Sequence, residues 1–377
     1  MTLGPSEYEA LRELGASFAR RELSNDRETH DRHPITPLWD GVLRRASELG
    51  FFAMTLGERH GGSGAGTTAL VPLCEEISRV DASLAGAIFA NAAAIEVVNV
   101  AAESSDCTPA LESISTAGAL PLAFAACSSP VESVLPSERP AGPTVAITGS
   151  ARNVFLGGVA RYAVIAVGGD AGRSYVFVDL HAPGVHASQP VPCIGFRACP
   201  MVDLSFDGAV AFSIGAAGGG LELFRRMAER LAPAAAAISL GIMKGCFDEA
   251  HAYAQERRQG GRRILDWPAV AAMLGEMSVD ILLGETCLLA AAQGGAETDA
   301  SALAVRLGEW ACRATTDGVQ VLGGYGYMSD YGQEKRMRDA RMARQLLGMP
   351  ALRRQDWFGR RWGPSLQPTG SRKGACG

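Results

Sequence analysis

The stretch VQVLGGYGYMSDYGQEKRMRDARMARQLLGMP, residues 319–350, decides the fold of this chain. It opens with Gln320 and the glycine pair Gly323–Gly324, passes through several tyrosines and ends in a charged run with an Arg-Asp pair. A glycine pair lets backbone N–H groups approach an anion closely, and it also ends helices at protein surfaces. The charged run predicts a last helix over about residues 330–357.

Length and composition bound the rest of the chain. It has 377 residues, of which 47% are apolar and 20% charged, and its net charge is −5. This length and apolar content are sufficient for a large hydrophobic core and for two or three domains. The negative net charge gives no reason to expect nucleic acid or an anionic membrane surface as a partner. We expect no apolar run long and clean enough to span a bilayer. The polar N-terminal stretch predicts no secretory leader, so we expect a cytoplasmic protein.

The cysteines and histidines predict neither a disulfide framework nor a metal site. The nine cysteines are an odd number without a C-x-x-C pair, which is typical of reduced thiols. His30 and His33 are three residues apart, a spacing that can bind metal on a helix. The adjacent Pro34 and the polar surroundings favour a solvated loop instead.

Working outward from the opening stretch, the hydrophobic periodicity divides the chain into four parts. Residues 1–118 carry helical spacing, and residues 119–216 carry short β-branched runs separated by Gly, Pro and Ser. Residues 217–360 return to long helices, with Pro233 as an expected kink, and residues 361–377 are predicted to be a disordered tail. Helices, then strands, then helices favour an α+β architecture over a parallel α/β sheet.

Four segments in this order resemble the acyl-CoA dehydrogenase family of flavoproteins, over about residues 6–357. They are ELGFFAMTLGERHGGSG (48–64), GFRACPMVDLSFDGAVA (195–211), RLAPAAAAISLGIMKGCFDEAHAYAQERRQGGRRI (230–264) and QVLGGYGYMSDYGQEKRMRDAR (320–341). The resemblance implies an N-terminal helical domain, a central β-barrel-like domain and a C-terminal four-helix bundle. It also implies FAD between the last two domains, and a homodimer or homotetramer whose subunits complete each other's cofactor sites.

The same resemblance implies which residues bind the cofactor. Arg257 matches an arginine that would hold the FAD pyrophosphate, and a guanidinium offers paired donors to phosphate oxygens. Gln259 lies in the same turn and is placed in the cofactor set. Gln320, Gly323 and Gly324 match the part that reaches the neighbouring subunit's cofactor. From the residues alone, a helix-ending glycine turn with a surface glutamine remains the alternative.

The catalytic base is where this chain departs from the family. Its usual glutamate, eight residues after Arg-Asp, is replaced by Leu347, which cannot accept a proton and could offer only its backbone N–H to a carbonyl. Some members place the base on the long helix before an arginine, and this slot holds Glu229, followed by Arg230, a candidate substrate residue. The alternative is a surface glutamate paired with Arg225 or Arg226.

The residues expected around the flavin ring also differ. Cys127 and Ser128 stand where the family has Thr-Glu, and a thiol is a weaker donor than a hydroxyl. Phe155 replaces a threonine that would reach flavin N5, and its ring offers a surface that could cover the isoalloxazine instead. Gly260 replaces the phenylalanine of the arginine turn, and Met349 replaces the threonine after the missing base. These substitutions imply a changed environment for the flavin.

The sequence therefore supports an FAD-dependent oxidoreductase that acts on an acyl thioester, carried by CoA or by a carrier protein. The resemblance implies removal of an α-proton and transfer of a hydride to flavin N5. The altered pocket suggests an unusual acyl group, as in secondary metabolism, with an electron-transfer flavoprotein or oxygen as acceptor. Two alternatives remain open: elimination or ring closure without net oxidation, and a catalytically silent partner subunit.

Overall fold

The computed structural model describes residues 3–25, 27–32, 38–116, 120–130, 135–141, 144–293 and 299–363. It contains helices, then strands, then helices, so the expected α+β architecture with a central barrel-like sheet is confirmed.

The N-terminal part is helical. Its helices are α1 (Pro5–Glu22), α2 (Arg27–His30), α3 (Leu38–Glu48), α4 (Leu70–Val80), α5 (Ala82–Ala102) and α6 (Thr108–Ser115). The carboxylate of Asp81 caps α5 by accepting the backbone N–H of Ser83 at 2.8 Å. The prediction of a loop at His30 was wrong, because this residue lies in α2 and is buried. His33 lies outside the described residues.

The central part is a six-stranded sheet. Its strands are β1 (Ser137–Ala141), β2 (Thr144–Phe155), β3 (Tyr162–Gly169), β4 (Gly172–Asp179), β5 (Val185–Ala187) and β6 (Met201–Ile214). The order is β2-β1-β3-β4-β6-β5, and an additional pairing of β2 with β6 closes five of the strands into a ring. Alternate residues of these strands, such as Val176 and Val178, fill the interior.

One predicted strand is not formed. The run from residue 119 to Cys127 was expected to be extended and β-paired. In its described part only Ala123 and Phe124 make single bridges, to Ala163 and Phe155. The chain then turns, and the N–H of Ser128 donates to the carbonyl of Ala125 at 3.2 Å.

The C-terminal part is a bundle of long helices. They are α7 (Gly220–Glu256), α8 (Pro268–Ala292), α9 (Ala300–Leu322), α10 (Gln333–Ala343) and α11 (Pro350–Trp362), with the short hairpin strands β7 (Arg258–Gln259) and β8 (Arg262–Arg263) after α7. Helix α7 continues through Pro233. The predicted last helix is instead divided into α10 and α11. The reason is that Leu347 and Gly348 adopt φ of +66° and +96°, which no right-handed helix allows, and Pro350 begins a new helix.

Two helices correct the expectation that no apolar run is long enough to span a bilayer. By length and composition α5 and α7 could each cross a membrane, with 18-residue windows of mean hydropathy 1.7 and 1.2. Those windows are 94% and 83% buried inside the protein, which is the pattern of core helices. All eight cysteines in the described part of the chain are free thiols.

A buried ionic network ties the N-terminal helices to α7 and α10. The carboxylate of Glu249 accepts from Arg27 at 2.6 Å and from Arg336 at 2.9 Å. Burial raises the pKa of Glu249, but the guanidinium groups of Arg336 and Arg27 outweigh it and lower the pKa to about 2. Beside it, Lys335 lies 2.6 Å from Asp339 and also contacts the helix cap of α5.

Candidate active site

Several predicted cofactor residues meet in one cleft. Arg257 follows the last residue of α7, Gln259 lies in the hairpin after it, and Gly323–Gly324 follow the end of α9. Together they line an open cleft of about 570 Å³. Because α7 and α9 pack along each other, their C-terminal ends bring residues from distant parts of the sequence to the same place.

The glycine pair leaves room for a ligand to approach the protein backbone. Gly323 has φ +60°, and a Cβ added to either glycine would meet no atom within 4 Å. Arg257 places its guanidinium 5.8 Å from the ring centre of Tyr325 in the same cleft. A cation beside uncrowded glycines suits an anion such as a pyrophosphate. Gln320 is exposed at the end of α9 and does not line the cleft.

The cleft also has an aromatic wall that the sequence analysis did not identify. Tyr253 lies 6.3 Å from Tyr325 and 6.4 Å from Tyr331 between ring centres, and the latter two are 5.0 Å apart. Such rings can stack on a nucleotide base. The tyrosines of the opening stretch were a signal for this wall, but Tyr253 on α7 was not linked to them by sequence.

Trp267 occupies space that Gly260 leaves. Gly260 has φ +64°, and a Cβ there would lie 2.8 Å from the indole of Trp267. The indole N–H donates to the carbonyl of Gln259 at 3.2 Å, and Arg262 lies 4.3 Å over the ring. The aromatic side chain missing from the turn is thus supplied from the residue before α8.

The proposed base, Glu229, lies on the exposed side of α7. Its carboxylate is 2.6 Å from Arg225 and also pairs with Arg360 of α11. The contacts of Glu229 in this structure are therefore those of a surface glutamate paired with Arg225, which was the alternative to a catalytic base. Arg230 bonds Glu96 at 3.2 Å and also pairs with Glu103.

Leu347 does not offer the free donor that we expected. Its N–H donates to the carbonyl of Ala126 at 2.9 Å, so the oxyanion-stabilising role of this N–H is corrected. Its side chain is 3% exposed and packs in the core. The neighbouring turn is fixed by Arg353, which donates to the carbonyl of Leu346 at 3.0 Å.

The residues expected beside a flavin ring offer few side-chain donors. Phe155 is fully buried, and its N–H and carbonyl are both paired with Phe124, at 3.0 and 3.2 Å. The thiol of Cys127 lies 3.8 Å from the carbonyl of Met342. Ser128 lines a cavity of about 40 Å³.

The residues described above suit one half of FAD, the cofactor that the resemblance implies. The cleft at Arg257 has a cation, open glycines, aromatic rings and a volume within the roughly 300–1,000 Å³ of ligand sites. The cavity beside Ser128 is about 40 Å³, far below that range. The described residues therefore fit the nucleotide half of FAD, whereas the ring half shows a reduced set of donors.

Comparison with known proteins identifies relatives of both helical parts. Models of the acyl-CoA dehydrogenase N-terminal and C-terminal domains match residues 5–104 and 218–356. A probable acyl-CoA dehydrogenase of Mycobacterium leprae is 26% identical over 367 residues, covering 93% of this chain and 94% of the relative. A 3-sulfinopropanoyl-CoA desulfinase of Paraburkholderia xenovorans is 28% identical over 315 residues, covering 78% and 81%. Among solved structures, the prolyl acyl carrier protein oxidase AnaB superposes with a TM-score of 0.79 at 20% identity, covering 94% of this chain and 98% of its own.

Proposed function

Because this chain belongs to the acyl-CoA dehydrogenase family and is therefore a flavin-dependent oxidoreductase, we propose that it dehydrogenates an acyl thioester with FAD as the oxidant and Glu229 as the base. The observation that carries the proposal is the meeting of Arg257, Gln259 and Gly323 in one open cleft. These residues come from two helices and a hairpin, and they supply the cation and the backbone room that a pyrophosphate needs.

In this proposal the chain's own residues hold the cofactor and handle the proton. Arg257 and the glycine pair would bind the pyrophosphate, with Gln259 beside them, and the tyrosines would flank the base of the nucleotide. Gln320, which does not line this cleft, would instead reach the cofactor of a neighbouring subunit. FAD, when bound, supplies the oxidant that accepts a hydride from the β-carbon of the substrate. Phe155 and Cys127 would offer the flavin ring an environment with few donors, so less of its binding would come from side-chain hydrogen bonds.

Glu229 takes the α-proton after leaving its ion pairs. Its side chain is 39% exposed, and exposed pairs such as the one with Arg225 are worth about 0–1 kcal/mol. Breaking such an ion pair so that the carboxylate can meet a substrate therefore costs little free energy. Arg230, anchored on Glu96, keeps this end of α7 in place beside the substrate.

In this proposal the thioester is carried by CoA or by a carrier protein, and the carrier protein is included because one structural neighbour is named as a prolyl acyl carrier protein oxidase. The changed ring environment supports an acyl group other than a plain fatty chain. Electrons pass to an electron-transfer flavoprotein or to oxygen, and the protein works as a cytoplasmic homo-oligomer.

The experiment is a flavin spectrum followed by anaerobic addition of acyl thioesters. We expect bound FAD and bleaching of its band near roughly 450 nm. Glu229→Gln should abolish bleaching while FAD stays bound, because an amide cannot accept the proton. Glu222→Gln is the matched control, since Glu222 also pairs with Arg225. Near-normal turnover in Glu229→Gln would remove this residue from the mechanism.

A second candidate function is elimination from the same carbanion without net oxidation. It is supported by the relative whose name denotes desulfination of a CoA thioester. Product formation without any bleaching of the flavin would select it over dehydrogenation.

A silent partner subunit is the third candidate. It is supported by the hydrogen bond that occupies the N–H of Leu347 and by the small cavity beside Ser128. A colourless protein that takes up no added FAD would select it.

A further inference from the structure

The hairpin after α7 carries a local excess of positive charge. Its arginines are Arg257, Arg258, Arg262 and Arg263, although the whole chain has net charge −5. Within the described ranges of the chain, only Arg263 of this set makes an ion pair, with Asp266 at 2.9 Å. Cations that lie beside a cleft and are not neutralised by the protein favour an anionic ligand.

The register of the hairpin divides these arginines between its two faces. Arg258 is paired with Arg263, and Gln259 is paired with Arg262. One step further along, the N–H of Ile264 donates to the carbonyl of Arg257 at 2.8 Å. Opposed residues of an antiparallel pair project to the same side, and neighbours along a strand project to opposite sides. One face therefore carries Arg257, Gln259, Arg262 and Ile264, and the other carries Arg258 and Arg263.

The first of these faces is the one turned toward the cleft. Arg257, Gln259 and Ile264 all line it. Arg262, the fourth residue of the face, stands at the tip of the hairpin, beside the tight turn that Gly260 and Gly261 make with φ of +64° and +82°. Arg262 is therefore a second cation on the cleft face, at the rim of the site.

Trp267 holds Arg262 in place. The guanidinium lies 4.3 Å over the indole ring, and the indole N–H donates to the carbonyl of Gln259 at 3.2 Å. In the part of the chain that the structure describes, neither Arg262 nor Asp330, an acidic residue that lines the cleft, makes an ion pair. A guanidinium stacked by its flat side keeps the N–H donors at its edge available, and little of its side-chain freedom remains to be lost on binding.

We propose that Arg262 is a second phosphate-binding residue of the cleft, and that Trp267 is the positioning residue that holds it there. This inference rests on the proposed function, in which the cleft binds the pyrophosphate of FAD. Each phosphate group of a pyrophosphate bears negative charge. Arg257 contacts one phosphate and Arg262 contacts the other, each through the paired donors of a guanidinium.

The test measures the binding of FAD and of ADP to the full-length protein at low and high salt. FAD binding is followed by the change in flavin fluorescence, and ADP binding by its competition with FAD. ADP carries adenosine and a pyrophosphate but no flavin, so it tests this cleft apart from the site of the flavin ring. The variants are Arg262→Gln and Arg262→Lys. The matched control is Arg258→Gln, which removes the same charge from the opposite face of the same hairpin.

We expect Arg262→Gln to bind FAD and ADP about tenfold more weakly and with a smaller dependence on salt, because one charged contact to phosphate is lost. Arg258→Gln should change either affinity by less than about twofold. Arg262→Lys should recover part of the loss, since it keeps the charge but not the paired donors. Trp267→Ala should weaken binding about threefold in the otherwise unchanged protein, and by clearly less when Arg262→Gln is already present.

Equal affinities of Arg262→Gln and Arg258→Gln for both ligands would overturn the inference. FAD binding by the wild type would in that case leave the proposed function standing. The inference would also be overturned if Arg262→Gln changed self-association while nucleotide binding stayed the same, because the arginine would then serve a subunit contact. A wild-type protein that binds neither FAD nor ADP would count against the proposed function itself.

Discussion

Replacing Glu249 by glutamine tests whether the buried ionic network stabilises the fold. In the protein this carboxylate is held between Arg27 and Arg336, and the pKa falls from the ordinary 4.5 to about 2. Glutamine keeps the shape of the side chain but cannot carry the charge. It also leaves Arg336, which is 5% exposed, without its carboxylate partner.

The expected loss of unfolding free energy in Glu249→Gln follows from the lowered pKa of Glu249. A fall of about 2.5 in pKa corresponds to about 3.5 kcal/mol of stability at neutral pH, at roughly 1.4 kcal/mol for each pKa unit. Removing one partner of a buried pair typically costs about 3–5 kcal/mol, which agrees. Since the folded pKa lies below the unfolded one, the contribution is complete above about pH 4.5 and is lost as the pH falls toward 2.

The assay is urea unfolding of the wild type and of Glu249→Gln from pH 7 down to pH 3. We expect a difference in unfolding free energy of about 3.5 kcal/mol at pH 7 that shrinks steadily below about pH 4.5. The control is Glu13→Gln, whose pair with Arg20 is 63% and 71% exposed, and which should change stability by less than about 0.5 kcal/mol. A difference under about 1 kcal/mol, or one that does not change with pH, would refute the reasoning.

Two further predictions concern packing and thiol reactivity. Gly245→Ala should lower the melting temperature by several degrees, because the new Cβ would lie 2.1 Å from the carbonyl oxygen of Arg79. In the control Gly275→Ala, on α8, the new Cβ meets no atom within 4 Å, and this change should raise the melting temperature slightly. Equal effects of the two substitutions on the melting temperature would contradict this reasoning. At pH 8 the exposed thiol of Cys287 should react quickly with a disulfide reagent, while burial raises the pKa of Cys74 and Cys246 to about 12 and keeps them unreactive until the protein unfolds. Cys287→Ser should remove one fast equivalent in that titration, and an unchanged fast count would argue against the assignment.

The order of helices and strands could be predicted because each element carries its own periodicity. The alanine-rich α5 and the end of α9 at Gly323 follow from local residues alone. The break between α10 and α11 was missed because the charged run is helical in pattern. A leucine gives no sign that it will adopt φ +66°, so only Gly348 and Pro350 were available as signals.

The parts of the site that the sequence did not predict are contacts between different structural elements. Arg360 lies 131 residues from Glu229, and Trp267 fills space left by a glycine in another element. The hydrogen bond from Leu347 to Ala126 joins the helical bundle to the chain before the sheet. Such pairings depend on the packed arrangement of elements, which a pattern within one segment does not contain.

Helix α7 also sets a length scale for the whole enzyme. Between Glu229 and the end of the helix at Glu256 it rises about 1.5 Å per residue, or about 40 Å in all. No single dinucleotide can stretch from the carboxylate at one end to Arg257 at the other. If Glu229 and Arg257 have the roles proposed above, each end of this helix would serve a different cofactor molecule, and an isolated subunit would contain two half-sites and no complete site.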